Sequence, residues 1–281
     1  MFNSKVFVAE FIGTFALVFV GAAAGVYGQS LGLLGIALAH GLTLAVFVYV
    51  FGHISGTHIN PAVTLGLAVN GTIKWVEAIV YWVAQFSAAF VAAFLLRTFL
   101  NPLSADAFAG AATSGLLGAD QLYYAMGLEA LLTFFLVNTI LHVAVGGRGG
   151  PFAGWAIGTT LAVAILAGGP LTGASLNPAR SFGPAVFTSA ISAGTPDYQN
   201  PMFYVIYFVG PFLGSLLAVG LYQFFRYQPM TMDDFEDDED DEMEVMAEVI
   251  DEPVKKPAAR KPAARKTTAK RATTKKTTKK E

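Results

Sequence analysis

The chain has 281 residues, no cysteine, 54% hydrophobic residues and 14% charged ones, with a mean hydropathy of +0.53. About a quarter of a soluble domain's residues are charged, so a water-soluble globule is excluded, and the missing cysteines exclude disulfides, thiol catalysis and cysteine-ligated metals. The net charge of −2 averages two opposite blocks: 13 of 20 acidic residues lie at positions 233–252 and 12 of 18 basic residues at 255–280. The chain therefore reads as an all-α polytopic membrane domain over residues 1–228 and a tail over 229–281, acidic at 233–252 and basic at 255–281.

A bilayer core of roughly 30 Å needs about 20 apolar residues of helix. Six stretches meet or approach that length: 6–27, 31–51, 75–96, 122–145, 152–167 and 203–225. The first carries Glu10 inside its apolar run and lacks a convincing basic flank, so it reads as a span rather than a cleaved signal peptide. Small residues recur at helical spacing: Gly13 with Ala16, Gly21 with Gly25, Ala84 with Ala88, and Gly210 with Gly214. In lipid such residues let backbones approach closely, which predicts a tight bundle. With six crossings both termini share a side. Lys5, Lys74, Arg148 and Arg226 fall there and Arg97 falls opposite. The bias of basic residues places both termini in the cytoplasm, and the plasma (cell inner) membrane is the expected location.

The membrane domain is written twice. Glu10-Phe11-Ile12-Gly13-Thr14-Phe15 matches Glu129-Ala130-Leu131-Leu132-Thr133-Phe134 at an offset of 119, and 52–66 matches 169–183 at an offset of 117. Halves of about 6–98 and 122–226, each with an odd number of crossings, enter from opposite faces. Inverted repeats of this kind put their working site near the midplane, between the halves.

The repeated core is Asn60-Pro61-Ala62 and Asn177-Pro178-Ala179. Asparagine caps a helix and proline takes its first position, where no N–H is needed. About ten residues follow each start before polar character returns, too few to span a bilayer and right for a half-helix. Irregular backbone at that depth must line a cavity. The expectation is a pore with two inward helix N-termini, each partly positive, and two asparagine amides free to donate at its centre. A single such box would be an ordinary helix cap; two in an inverted repeat point to function.

On these boxes, the paired glutamates and the Asn-Pro-Ala-Arg-Ser-Phe-Gly-Pro run at 177–184, the sequence resembles the major intrinsic protein family, the aquaporins and aquaglyceroporins. The resemblance covers 6–226. It implies six helices plus two re-entrant half-helices, a homotetramer with one pore per subunit, and a passive channel rather than an enzyme, with no cofactor and no metal. It also implies a narrow filter at four positions, counted from the boxes: His40, Ile165, Ala174 and Arg180. This set is similar to that of plant tonoplast intrinsic proteins, so water is the expected solute, with ammonia, urea, hydrogen peroxide and glycerol as further candidates. Ser181 and Ala185, and Tyr207 with Phe208, resemble the water-channel subgroup. Glu10 and Glu129 are implied to support the half-helix loops by accepting backbone N–H bonds. Acidic groups inside membrane helices also mark proton relays, so a proton-coupled small-solute transporter using Glu10 and Glu129 is the alternative. His53 and His58 have neither a cysteine nor a nearby carboxylate to complete a metal site and read as loop-packing residues. Neither block of the tail can bury a core, which predicts disorder. Its basic part suits anionic lipid better than nucleic acid, because it is tethered at a membrane.

Overall fold

A computed structural model of the chain describes residues 3–102, 108–188 and 198–226, apart from the side chain of Gln29; the tail expected at 229–281 lies outside them. The described residues are helical, with no strand among them. Six helical stretches are long and apolar enough to cross a membrane. Helix α1 (Ser4–Val26) is capped by Asn3, whose Oδ1 accepts from the N–H of Lys5 at 3.1 Å and of Val6 at 3.4 Å. It is followed by α2 (Gly28–Ser55), the short α3 (Pro61–Val69) and α4 (Trp75–Leu100). The second half repeats the order with α5 (Leu122–Ile140), α6 (Ala153–Thr172), the short α7 (Pro178–Val186), a single turn α8 (Pro201–Tyr204) and α9 (Gly210–Arg226). A π turn at Val205–Val209 joins α8 to α9. Pro211 has no N–H to return to the carbonyl one turn earlier, and the backbone widens there.

Helices α2 and α6 run further than the apolar stretches at 31–51 and 152–167 suggest. Both helices pass through their glycines at this end, α2 through Gly52 and α6 through the Gly169-Pro170 pair. The actual stops are Gly56 and Gly173, at φ 79° and 83°. Each donates its N–H back, Gly56 to Gly52 O at 3.0 Å and Gly173 to Gly169 O at 2.9 Å. Left-handed backbone at a helix end is open to glycine without strain.

Within each half the first helix packs on the second and third: α1 on α2 and α4, α5 on α6 and α9. The halves join where α2 crosses α6. There Gly41 and Gly158 face each other so closely that a Cβ on either would meet the other's carbonyl oxygen. No side chain intervenes, which is how membrane helices gain contact when lipid gives them no hydrophobic drive to associate. The short helices are exchanged: α3 of the first half packs on α9 of the second, and α7 of the second packs on α4 of the first. Gly66 of α3 rests against Ser215 and Val219, and Gly183 of α7 against the Ala89 backbone.

Candidate functional site

The site is built on the two loops that lead from α2 into α3 and from α6 into α7. Both carry the same unusual backbone. Thr57 and Ile59 have φ 51° and 40°, and their counterparts Ala174 and Leu176 have φ 41° and 55°. Left-handed backbone costs a non-glycine residue about 1–2 kcal/mol, so each loop must be held.

Glu10 and Glu129 hold them. Glu10 Oε1 accepts from Ser55 Oγ at 2.7 Å and the His58 N–H at 2.9 Å, and its Oε2 accepts from the Ile59 N–H at 2.7 Å and Gln85 Nε2 at 2.8 Å. Glu129 repeats this with Thr172 Oγ1 at 2.7 Å, the Ser175 N–H at 3.0 Å and the Leu176 N–H at 2.8 Å. Neither carboxylate has any exposed surface. A second symmetric pair braces the helix ends: Tyr81 OH donates to Ser55 O at 2.7 Å, and Tyr207 OH to Thr172 O at 2.8 Å.

The asparagines start the short helices. Asn60 Oδ1 accepts from the Ala62 N–H at 2.8 Å, and Asn177 Oδ1 from the N–H groups of Ala179 at 3.0 Å and Arg180 at 3.2 Å. Pro61 and Pro178 take the first helical positions, and Ala62 and Ala179 are fully buried behind them. The amides are not wholly free, as the sequence suggested. Asn60 Nδ2 donates to Leu176 O at 2.8 Å and Asn177 Nδ2 to Ile59 O at 2.9 Å, each across to the opposite loop. An amide nitrogen carries two hydrogens, so one on each asparagine remains for another acceptor.

Both asparagines line an internal cavity with Thr57, His58, Ile59, Ser175, Leu176, His40 and Arg180. Its lining also includes the apolar Leu17, Leu44, Val63, Leu136, Ile140 and Leu161. Leu17 pairs with Leu136 at the offset of 119, and Leu44 with Leu161 at 117, so these four leucines obey the same repeat. The space for centres of water-sized molecules is about 20 Å³. One water needs about 10–15 Å³ by that measure, so the cavity is sized for one or two waters. Val63 and Arg180 occupy equivalent positions in the two halves, which puts the guanidinium on one side only.

His40 and Arg180 are in direct contact rather than facing one another across a gap. The His40 Nδ1–H points to Ile36 O at 2.9 Å, which leaves Nε2 to accept from Arg180 Nε at 3.3 Å. Gly21 makes room for this ring, since a Cβ there would overlap it. Ile165 and Ala174 are buried, but neither is among the residues that line the cavity; Leu161, one turn from Ile165, takes that place on α6. His58 places Nδ1 3.1 Å from Thr64 Oγ1 and its ring 4.4 Å from that of Tyr81, while His53 is exposed at the end of α2.

The family model described as Major intrinsic protein matches residues 1–222. The chain belongs to that family. Its relatives include aquaporin TIP1-2 of Zea mays, 40% identical over 232 residues, covering 78% of this chain and 85% of that one. Aquaporin NIP2-3 of Zea mays is 35% identical, over 80% of this chain and 70% of its own length. Glycerol uptake facilitator protein-like 6 of Lactiplantibacillus plantarum is 40% identical, over 75% and 94%. Among solved structures, the aquaglyceroporin of Plasmodium falciparum superposes with a TM-score of 0.66 at 28% identity, covering 78% of this chain and 95% of that one. As a member of the family the protein is an integral, multi-pass membrane protein.

Sequence reasoning missed three parts of this site: the four symmetric leucines, the tyrosine pair, and Thr113, whose Oγ1 accepts from Arg180 Nη1. The leucines could have been found by applying the repeat offset to the apolar positions. Tyr81 and Tyr207 lie outside the aligned segments. Thr113 sits in a connection with no repeat partner, and no pattern marks it.

Proposed function

We propose that the protein is a passive channel for water, with ammonia, urea, hydrogen peroxide and glycerol as further small neutral candidates, and that it excludes protons and ions. One observation carries the reading: the first turns of α3 and α7 meet at Asn60 and Asn177, which line the same small cavity as Leu17, Leu44, Leu136 and Leu161. A water there turns its oxygen to the two remaining amide hydrogens and finds no acceptor among the leucines. Its neighbouring waters are then turned away from one another, and a cation meets positive potential from both helix ends. His40 and Arg180 form the polar side of a filter near the end that carries Arg97, with Ile165 and Ala174 beside it.

The proton-coupled alternative is disfavoured by the same geometry. A relay carboxylate must reach the pathway, whereas Glu10 and Glu129 are occupied by backbone and side-chain donors and lie outside the cavity wall.

Both termini are assigned to the cytoplasm of the plasma membrane, from Lys5, Lys74, Arg148 and Arg226 against Arg97. A homotetramer is supported by the groove between α5 and α6, which presents Asn138, Thr139, Thr159 and Thr160. Polar groups on a membrane helix are best satisfied by another helix. The tail from 229 is assigned no part in permeation.

The test is stopped-flow light scattering on proteoliposomes under water, urea and glycerol gradients, with a pH-sensitive dye inside. Water flow without any proton gradient and without dye response is expected. Dye signals that track water flow, or transport that needs a proton gradient, would reject the channel.

A further inference from the structure

We infer that Gly21, on α1, is a positioning residue that sets which solutes pass: the side chain it lacks is the seat of the His40 imidazole, and filling that seat drives the ring into the passage. The inference rests on the assignment of His40 to the filter and adds a residue that touches no solute itself.

Gly21 is buried in the middle of a regular helix. Its backbone is not left-handed, so nothing in the chain's own conformation calls for glycine, and alanine is the better helix former. The reason lies in the neighbour. A Cβ at position 21 would overlap His40 Nε2 and lie 2.5 Å from Cδ2 and 2.8 Å from Cε1 of the same ring. These are its three nearest heavy atoms, and all belong to one side chain. The other small residues of the bundle differ. Gly41 and Gly158 meet each other's backbone, and Gly25 meets the carbonyl of Gly110. Those glycines let backbones approach, whereas Gly21 makes room for a ring.

The repeat shows what the space replaces. The offset of 119 takes Gly21 to Ile140, and the offset of 117 takes His40 to Ile157. The second half therefore fills both positions with isoleucine, and Ile140 lines the cavity with its own side chain. In the first half α1 gives up its side chain and α2 supplies a larger, polar one, so His40 lines the cavity and Gly21 does not.

The ring has one way to yield. Its Nδ1 is tied to Ile36 O on its own helix at 2.9 Å, and Nε2 accepts from Arg180 Nε at 3.3 Å. A methyl group on α1 would press on the edge that carries Nε2, break the contact with Arg180 and push the imidazole away from α1. An overfilled site is relieved by such side-chain shifts. The free cross-section falls, and a solute wider than water loses more than water does.

The variants Gly21→Ala, His40→Ala and the double variant are compared with wild type in proteoliposomes, reading the ratio of urea to water permeability, with melting in detergent alongside. Gly21→Ala is expected to lower the ratio by about tenfold, the low end of what one added carbon does in a fitted site, and to melt earlier. His40→Ala should raise the ratio. In the double variant the methyl group has no ring to strike, so the ratio should equal that of His40→Ala alone, and melting should recover. A packing role without effect on the filter would scale both permeabilities by the amount of folded protein and leave the ratio unchanged. If His40→Ala shifts the ratio and Gly21→Ala does not, or if Gly21→Ala lowers it equally when His40 is absent, the role of Gly21 is overturned while the filter stands. If Gly21→Ala fails to insert, the double variant decides: insertion supports the seat, and failure assigns Gly21 to backbone packing and overturns it. If His40→Ala leaves the ratio unchanged, the filter assignment fails and this inference with it.

Discussion

Asn60 and Asn177 each donate a side-chain hydrogen to the loop that carries the other, Asn60 to Leu176 O at 2.8 Å and Asn177 to Ile59 O at 2.9 Å. The two halves are therefore latched at the same point where their short helices meet. Each asparagine caps its own helix with its oxygen and clamps the opposite loop with its nitrogen, so one side chain sets both the height and the spacing of the central donors.

Asn60→Asp separates those roles. The carboxylate still accepts from Ala62, but it turns an oxygen toward the Leu176 carbonyl where a donor stood, and it adds a negative charge to the cavity. Unfolding should become easier by about 1–3 kcal/mol, the usual cost of a buried polar group left without its partner. Water flow should fall and cation leak should rise. Thermal melting in detergent and a dye-based leak assay check both, and an Asn60→Asp protein that matches wild type in each would show that the latch does not set the central barrier.

Glu10→Gln and Glu129→Gln should each destabilise by about 1–3 kcal/mol, because an amide NH₂ replaces an acceptor that a backbone N–H needs. The two losses should be similar, since the carboxylates do the same work in the two halves. Channels that still insert should carry water with no dependence on a proton gradient. A variant with unchanged melting but lost solute flux would instead point to a protonation step at the altered carboxylate.

With no cysteine in the chain, mercurials should not block the wild-type protein. Leu161→Cys puts a thiol in the apolar lining of a cavity with about 20 Å³ for water positions, and a bound mercury ion should close it. Water flow is read before and after the reagent and again after added thiol. Persistent flow through a fully labelled Leu161→Cys protein would mean that this cavity is not the route.

Deleting 233–281 should leave insertion, assembly and water flow intact, because a segment with so little apolar surface has no face to pack. Size-exclusion chromatography in detergent gives the assembly state. A shift from tetramer to monomer on truncation would assign the tail a structural part.

The membrane spans and both short helices were legible in the sequence because their signals are chemical: apolar length for the first, an asparagine-proline start for the second. The leucine lining was not. Leu17 and Leu44 sit in helices that are apolar all round, and nothing in such a pattern separates the face toward a cavity from the face toward lipid. Thr113 was hidden for a different reason. Its partner Arg180 is 67 positions away, and the connection that brings it there carries no periodicity to read.

The exchange of the short helices bears on the order of synthesis. Translation delivers α3 early, yet its seat on Ser215 and Val219 belongs to the last helix, α9. The loop at 55–60 therefore waits in the nascent chain with Asn60 lacking both its packing surface and the Leu176 carbonyl. The cavity between the two loops cannot take its final shape until α9 has been made, so a partly made chain in the bilayer has no finished conduit through which ions could leak.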